Sequence, residues 1–136
     1  MLKKRKSASV PARQDSESGY SHWVNVSQKA ELEFHKRSTI SEDTDGFRAR
    51  TVAMWERYGF KRDRFKDKTI IDIGAGSKSR VFYFEQPLKT VAIEPCADDF
   101  IKEIPWCDLK ETFTEIYSVP AEERISTLGG QDLFIL

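Results

Sequence analysis

One stretch, residues 69–80 with the sequence TIIDIGAGSKSR, limits the folds open to this chain more than any other. A short apolar and mostly β-branched run leads into Gly-Ala-Gly at positions 74–76. A run of this kind bounded by glycine is typical of a buried strand in a parallel sheet. The glycines allow a sharp turn and a close approach of ligand to backbone, and Ser77 or Ser79 could cap a following helix. We therefore predict a strand, a glycine turn and a helix in succession.

Asp72 indicates what kind of ligand this turn would face. A carboxylate one residue before the strand ends would repel a pyrophosphate, but it suits a cationic or amino-bearing group. The dinucleotide fingerprint G-x-G-x-x-G also requires a glycine where this chain has Ser79. The residues therefore favour a ligand other than a dinucleotide.

The stretch resembles motif I of the class I S-adenosylmethionine-dependent methyltransferases, of the form apolar-apolar-Asp-apolar-Gly-x-Gly. Three later segments resemble the family's next three strands in order. Thr90–Pro95 contains a short apolar strand that ends in an acid, Glu94. This acid lies 22 residues after Asp72, near the spacing of about 20 residues for an acid that binds ribose hydroxyls. The other two segments are Glu115–Glu123 and Gln131–Leu136. The family's frequent third glycine is replaced here by Lys78.

The resemblance implies an α/β fold with a Rossmann-like parallel sheet, of about four strands in the order 3-2-1-4, flanked by helices. It implies S-adenosylmethionine as the cofactor and methyl transfer to an unidentified acceptor. Asp72 would support the amino acid end of the cofactor, Glu94 the ribose, and groups near Ala121 and Glu122 the adenine. The implied cofactor-binding residues are Asp72, Gly74, Ala75, Gly76, Ser77, Glu94, Pro95, Ala121 and Glu122. No catalytic residue is implied, because the sulfonium is already a reactive donor and the protein mainly orients it.

The segments before the motif divide into a tail and a helical region. Residues 1–19 are basic and serine-rich with few large apolar residues, which indicates a disordered tail, with a nucleic-acid-binding tail as the alternative. Residues 20–64 are predicted to form an N-terminal helical cap, in which Ser27 is a candidate N-cap. A helix over Gly46–Tyr58 presents one apolar face, formed by Phe47, Thr51, Met54, Trp55 and Tyr58. This face either packs on the sheet or closes over the cofactor.

Residues 65–136 would form the cofactor-binding domain. We expect short helices at Ser79–Glu85 and Cys96–Ile104, and a connector or helix at Trp106–Phe113. The family's domain has seven strands, so the resemblance implies a chain truncated after the fourth. An apolar fourth strand at Asp132–Leu136 would then be an open edge that favours self-association, unless the N-terminal helices cover it.

Composition narrows the remaining possibilities. Lys plus Arg equal Asp plus Glu at 22 each, so the net charge does not indicate nucleic acid. No run approaches the ~18 apolar residues of a membrane span. Cys96 and Cys107 form no Cys-x-x-Cys pair, and His22 and His35 are distant in sequence, so we expect reduced thiols, a cytoplasmic protein and no metal site.

Three functions remain open at this point. The first is a methyltransferase, or the cofactor-binding part of one. The second is a non-catalytic module that binds S-adenosylmethionine, or that keeps only the Rossmann-like fold as an interaction module. The third is a nicotinamide-dependent oxidoreductase, which Asp72 and Ser79 disfavour.

Overall fold

The computed structural model of the chain describes residues 22, 26–124 and 133–135. The helices of this part of the chain are α1 (Gln28–Lys36), α2 (Thr39–Glu42), α3 (Thr44–Arg57), α4 (Ala97–Glu103), α5 (Leu109–Thr112) and α6 (Ala121–Arg124), with a 3-10 helix at Val81–Tyr83. The strands are β1 (Thr69–Ile73), β2 (Lys89–Ile93), β3 (Glu115–Tyr117) and β4 (Leu133–Ile135). The predicted basic tail and the segment at 125–132 lie outside the described residues. None of the described helices has the length and apolarity that crossing a bilayer requires.

The sheet is parallel, as the apolar strands of the sequence predict. β2 lies between β1 and β3, and Ile71 of β1 is opposite Val91 of β2. The backbone of β4 pairs with the other side of β1, so the strand order is β3-β2-β1-β4. The prediction of an α/β chain with a parallel sheet flanked by helices is confirmed.

The larger core lies on the face of the sheet that carries Ile70 and Ala92. Trp55 of α3, Phe65 and Phe84 pack against this face, with ring centroids 5.0 Å apart for Trp55 and Phe84 and 4.6 Å apart for Phe65 and Phe84. The Trp55 indole N–H donates to the Arg80 carbonyl oxygen at 3.1 Å. The aromatic face of α3 is therefore core, and it also fixes the segment that follows the glycine turn.

The opposite face of the sheet has a smaller cluster of Ile71, Val91 and Ile93, against which Tyr117 and Ala121 pack. The alternation along β1 assigns Ile70 and Asp72 to the first face and Ile71 to the second, as the period of two in a strand requires. Asp72 is thus directed toward the side of the sheet that α3 covers.

The predicted helical face is wrong at Tyr58, which is 68% exposed. α3 ends at Arg57, and Gly59 then adopts a φ of +79° that turns the chain back. This turn brings Phe60, instead of Tyr58, to the indole of Trp55, with ring centroids 5.2 Å apart.

The helix predicted at Ser79–Glu85 is also wrong, because the structure has only the 3-10 helix there. Val81, Tyr83 and Phe84 are all buried in the same core. A 3-10 turn places residues i and i+3 on one side and so buries Val81 with Phe84. Ser27 precedes α1 as predicted, but its side chain makes no capping hydrogen bond. The helix expected at Cys96–Ile104 is confirmed as α4.

Candidate functional site

The glycine turn at residues 74–76 follows β1 directly, at the carboxyl end of the sheet. Gly74 has a φ of +72° and Gly76 a φ of +69°, a left-handed conformation that residues with a Cβ rarely adopt. The Gly74 N–H donates to the carbonyl oxygen of Ile93 at 2.8 Å. The turn is thereby held against the end of β2.

Asp72 is a buried carboxylate beneath this turn, with 8% of its surface exposed. It accepts a hydrogen bond from the Ser79 hydroxyl, whose oxygen in turn accepts from the Val81 N–H at 3.2 Å. Burial raises the pKa of Asp72 above its ordinary value of 3.8, the Ser79 hydrogen bond opposes this rise, and nearby Glu94 adds to it. A cationic ligand group beside Asp72 would favour its charged form.

Glu94 joins the turns that follow β1 and β2. It is 6% exposed, and its Oε2 accepts from the Gly76 N–H at 3.0 Å while its Oε1 accepts from the Cys96 N–H at 3.0 Å. A carboxylate oxygen has two lone pairs, so each oxygen retains capacity for a ligand hydroxyl. Glu94 is therefore both a structural link and a candidate ligand contact.

Ser77 is fully buried, and its partner comes from the N-terminal region. Its Oγ lies 2.8 Å from Nδ1 of His35, and Nε2 of His35 lies 3.3 Å from Oε1 of Glu31. Helix α1 thus contacts the glycine turn. The sequence alone gave His35 no role, and no sequence signal connects residues 42 positions apart.

Two open cavities meet at Gly74. The first, of about 360 Å³, lies between β1 and α3 and is lined by Met54, Trp55, Asp72, Ile73, Gly74, Ala75, Lys78, Ser79 and Arg80. The second, of about 250 Å³, lies between β2 and α1 and is lined by Ser27, Gln28, Glu31, Gly74, Glu94, Pro95 and Cys96. Among the described residues, Gly74 is the one that lines both cavities.

The structure brings together five of the nine sequence-predicted site residues at these cavities. They are Asp72, Gly74, Ala75, Glu94 and Pro95. Gly76 and Ser77 lie against His35. Ala121 packs on the cluster of Ile71, Val91 and Ile93, and Glu122 is exposed, so neither lines these cavities. Their predicted role beside adenine stays a prediction.

Lys78, which replaces the third glycine of the motif that the sequence resembles, is directed toward α3. It is 7% exposed, and its ammonium donates to the Thr44 hydroxyl and lies 5.6 Å from the ring centroid of Phe47. Burial lowers the pKa of Lys78, and the charge of Asp108 opposes this shift. The lysine therefore closes one side of the first cavity, next to α3.

Size alone does not locate the site. A larger cavity, of about 550 Å³, opens between α1 and α2 and is lined by Ala30, Glu33, Phe34, Arg37, Ser38, Thr39 and Ile40. None of the sequence-predicted site residues lies there, and it has no buried carboxylate. The two cavities at Gly74 combine buried acids with a fixed turn, and they are the candidate site.

The cysteines are free thiols, and Cys96 borders the second cavity. Burial raises the pKa of Cys96 to about 12, and the charges of Glu94 and Glu31 contribute to the rise. Cys96 is therefore a protonated thiol at neutral pH and a poor nucleophile. In the part of the chain that the structure describes, no three His, Cys, Asp or Glu side chains are grouped as a metal site.

Comparison of the chain with protein-family models, with curated proteins and with solved structures finds no match.

We expect the free energy of unfolding of the Asp72→Asn variant to increase relative to that of the wild type as pH rises. The raised pKa means that protonated Asp72 stabilises the fold, and that this contribution is lost as pH rises through its folded-state pKa. The side-chain amide of this variant cannot ionise, but its oxygen can still accept the hydrogen bond from the Ser79 hydroxyl. Urea unfolding at about pH 4 and about pH 7 checks this, with exposed Asp63→Asn as the control. A stability difference that does not change with pH would contradict it.

Proposed function

We propose that this chain is the S-adenosylmethionine-binding part of a Rossmann-like methyltransferase, which transfers a methyl group to an unidentified acceptor. The observation that carries this proposal is the placement of Asp72 and Glu94. Asp72 is the penultimate residue of β1, and Glu94 directly follows the adjacent parallel strand β2. They flank the glycine turn and line two cavities that share Gly74. The strand pairings, with β1 between β2 and β4, support a sheet of the Rossmann-like order 3-2-1-4.

The first cavity fits the ammonium group at the amino acid end of the cofactor. Asp72 supplies the buried carboxylate that an ammonium group would neutralise, and burial makes this interaction stronger than it would be in water. Trp55 and Met54 line the same cavity, and an aromatic ring and a thioether are suitable neighbours for a sulfonium. When bound, the cofactor would supply an electrophilic methyl group.

The second cavity fits a sugar and not a phosphate. Glu31 and Glu94 line it, and its described lining includes no lysine or arginine. Two carboxylates accept hydrogen bonds from hydroxyl groups and repel phosphate oxygens.

The hydrogen bonding of the glycine turn and the helix that follows it also argue against a dinucleotide. A dinucleotide site directs turn N–H groups and the N-terminus of an α-helix at the pyrophosphate. Here the Gly76 N–H is bonded to Glu94, and a 3-10 helix of three residues follows the turn. The oxidoreductase alternative therefore lacks its phosphate-binding device.

The chain's own residues would contribute binding, orientation and exclusion of water. Asp72 would hold the amino acid end, and the turn between Asp72 and Glu94 would fix the distance between that end and the ribose. Methyl transfer needs the donor and acceptor to be held in line, so this positioning is the main contribution expected of the protein.

Thermal unfolding with added ligands tests the proposal. S-adenosylhomocysteine at 100 times its dissociation constant should stabilise the protein by about 2.7 kcal/mol, while NAD at the same concentration should not. Stabilisation by NAD alone would overturn the proposal. Methyl transfer to an added acceptor would then distinguish an enzyme from a module that only binds the cofactor.

Asp72→Ala should weaken the binding of S-adenosylhomocysteine by about tenfold or more, because a charge-assisted contact to its amino group is lost. Titration calorimetry measures the affinity, and the exposed Asp63→Ala is the matched control. Unchanged affinity in a folded Asp72 variant would assign Asp72 to holding Ser79 only.

Glu94→Gln should weaken the same binding by about 1–3 kcal/mol. The amide nitrogen cannot accept, so the variant loses the carboxylate charge and one backbone hydrogen bond of the turns. Glu56→Gln, an exposed acid on α3, controls for the change of net charge. The control should bind S-adenosylhomocysteine as tightly as the wild type. If Glu94→Gln also binds it as tightly as the wild type, the proposed ribose contact is contradicted.

A further inference from the structure

Helix α1 is attached to the glycine turn through the imidazole of His35. Nδ1 of His35 lies 2.8 Å from Oγ of the fully buried Ser77. The ring also lies directly over Gly76, since a Cβ built on that glycine would be 3.1 Å from Cε1 of His35. The close approach means that the ring and the turn are fitted to each other.

The second nitrogen of His35 is directed at Glu31, one turn earlier on α1. Nε2 lies 3.3 Å from Oε1 of Glu31. An ionised carboxylate can only accept, so the hydrogen-bond network assigns the proton to Nε2 and lets neutral Nδ1 accept from the Ser77 hydroxyl. A protonated imidazole would instead donate to both partners, so either charge state keeps His35 between Ser77 and Glu31.

Other contacts fix α1 in the same position. Leu32 packs on the cluster of Cys96, Phe100 and Ile104, and the His35 ring centroid lies 4.5 Å from that of Phe100. At the end of the helix, the Lys36 ammonium lies 3.0 Å from a carboxylate oxygen of Glu103. The side chain of His35 is therefore held on an element that is itself seated on α4.

This seating makes Glu31 part of the wall of the second cavity, which Glu94 also lines. Both acids lie close enough to Cys96 to affect its thiol. The two carboxylates differ in what they already bind, since Glu94 accepts a backbone N–H at each oxygen. Glu31 has its 3.3 Å contact with His35, and 55% of its side chain is exposed, so it has the larger remaining capacity to accept from a ligand.

We propose that Glu31 is a second ligand-binding carboxylate, and that it acts with Glu94 on the vicinal hydroxyls of a nucleoside. His35, anchored on Ser77, is the positioning residue for Glu31. This inference rests on the proposed function, because it names the group of the cofactor that the second cavity receives. A vicinal diol fits since it offers two O–H donors to two acceptors, and the acids exclude a phosphorylated sugar.

The test compares adenosine with 2′,3′-dideoxyadenosine, which lacks both hydroxyls, by competition against S-adenosylhomocysteine. The wild type should prefer adenosine, and Glu31→Gln should reduce that preference by about tenfold, as the loss of a charge-assisted hydrogen bond predicts. Glu33→Gln is the matched control, because Glu33 lies on α1 beside Lys36 and outside the second cavity. It should keep the wild-type preference.

His35→Phe tests the positioning role, since it keeps a ring against Phe100 and removes both hydrogen bonds. It should reduce the adenosine preference as Glu31→Gln does, and the double variant should be no worse than either single variant, because both act on one contact. If His35→Phe lowers the adenosine preference by the same factor in the wild type and in the Glu31→Gln variant, the role of His35 is structural and the positioning claim is overturned.

The outcomes separate this inference from the function on which it rests. A wild type that does not bind S-adenosylhomocysteine overturns the proposed function. A wild type that binds it, with the same adenosine preference in Glu31→Gln, overturns the role of Glu31 alone. Both single variants should retain the wild-type far-UV circular dichroism spectrum and bind dideoxyadenosine as the wild type does.

Discussion

The hydrogen bonds of Glu94 are the interaction on which the candidate site depends. Its carboxylate receives the N–H of Gly76 from the turn after β1 and that of Cys96 from the turn after β2. A buried carboxylate is costly unless it is hydrogen-bonded, and N–H groups in a tight turn need acceptors. The pairing satisfies both requirements at once. It also fixes the two turns relative to each other, which sets the shape of both cavities.

The charges around the glycine turn are arranged by sign. Asp72 and Glu94 are buried on the inner side of the cavities. The cations belong to the α3 side, where the Lys78 ammonium bonds to Thr44 and the Arg80 guanidinium lies 5.6 Å from the ring centroid of Phe47. The second cavity therefore presents acceptors and negative charge, opposite to what a phosphate needs, while Lys78 and Arg80 line the α3 side of the first cavity. This electrostatic pattern, together with the bonded Gly76 N–H, separates the site from a dinucleotide fold of similar backbone.

The N-terminal helix belongs to the site as well as to the fold. Leu32 and Lys36 attach α1 to α4, while His35 attaches it to the turn. A helix placed only by apolar packing could shift along its axis, because dispersion contacts are not directional. The hydrogen bond between His35 and Ser77 fixes its register and so determines which residues of α1 face the second cavity. The same helix leaves Phe34 exposed on its outer side.

The sequence by itself determined β1, β2, the glycine turn and the placing of acids at the strand ends. These features are local, since β-branched runs, a positive φ and strand alternation are properties of neighbouring residues. Only the tertiary structure decided that Ser77 meets His35, that Phe60 replaces Tyr58 beside Trp55, and that a 3-10 turn replaces the helix after Ser79. It also separated Ala121 and Glu122 from the cavities. The contact of Ser77 with His35 and the burial of Val81 and Phe84 in one core with Trp55 join residues far apart in the chain, where burial and packing outweigh local preference.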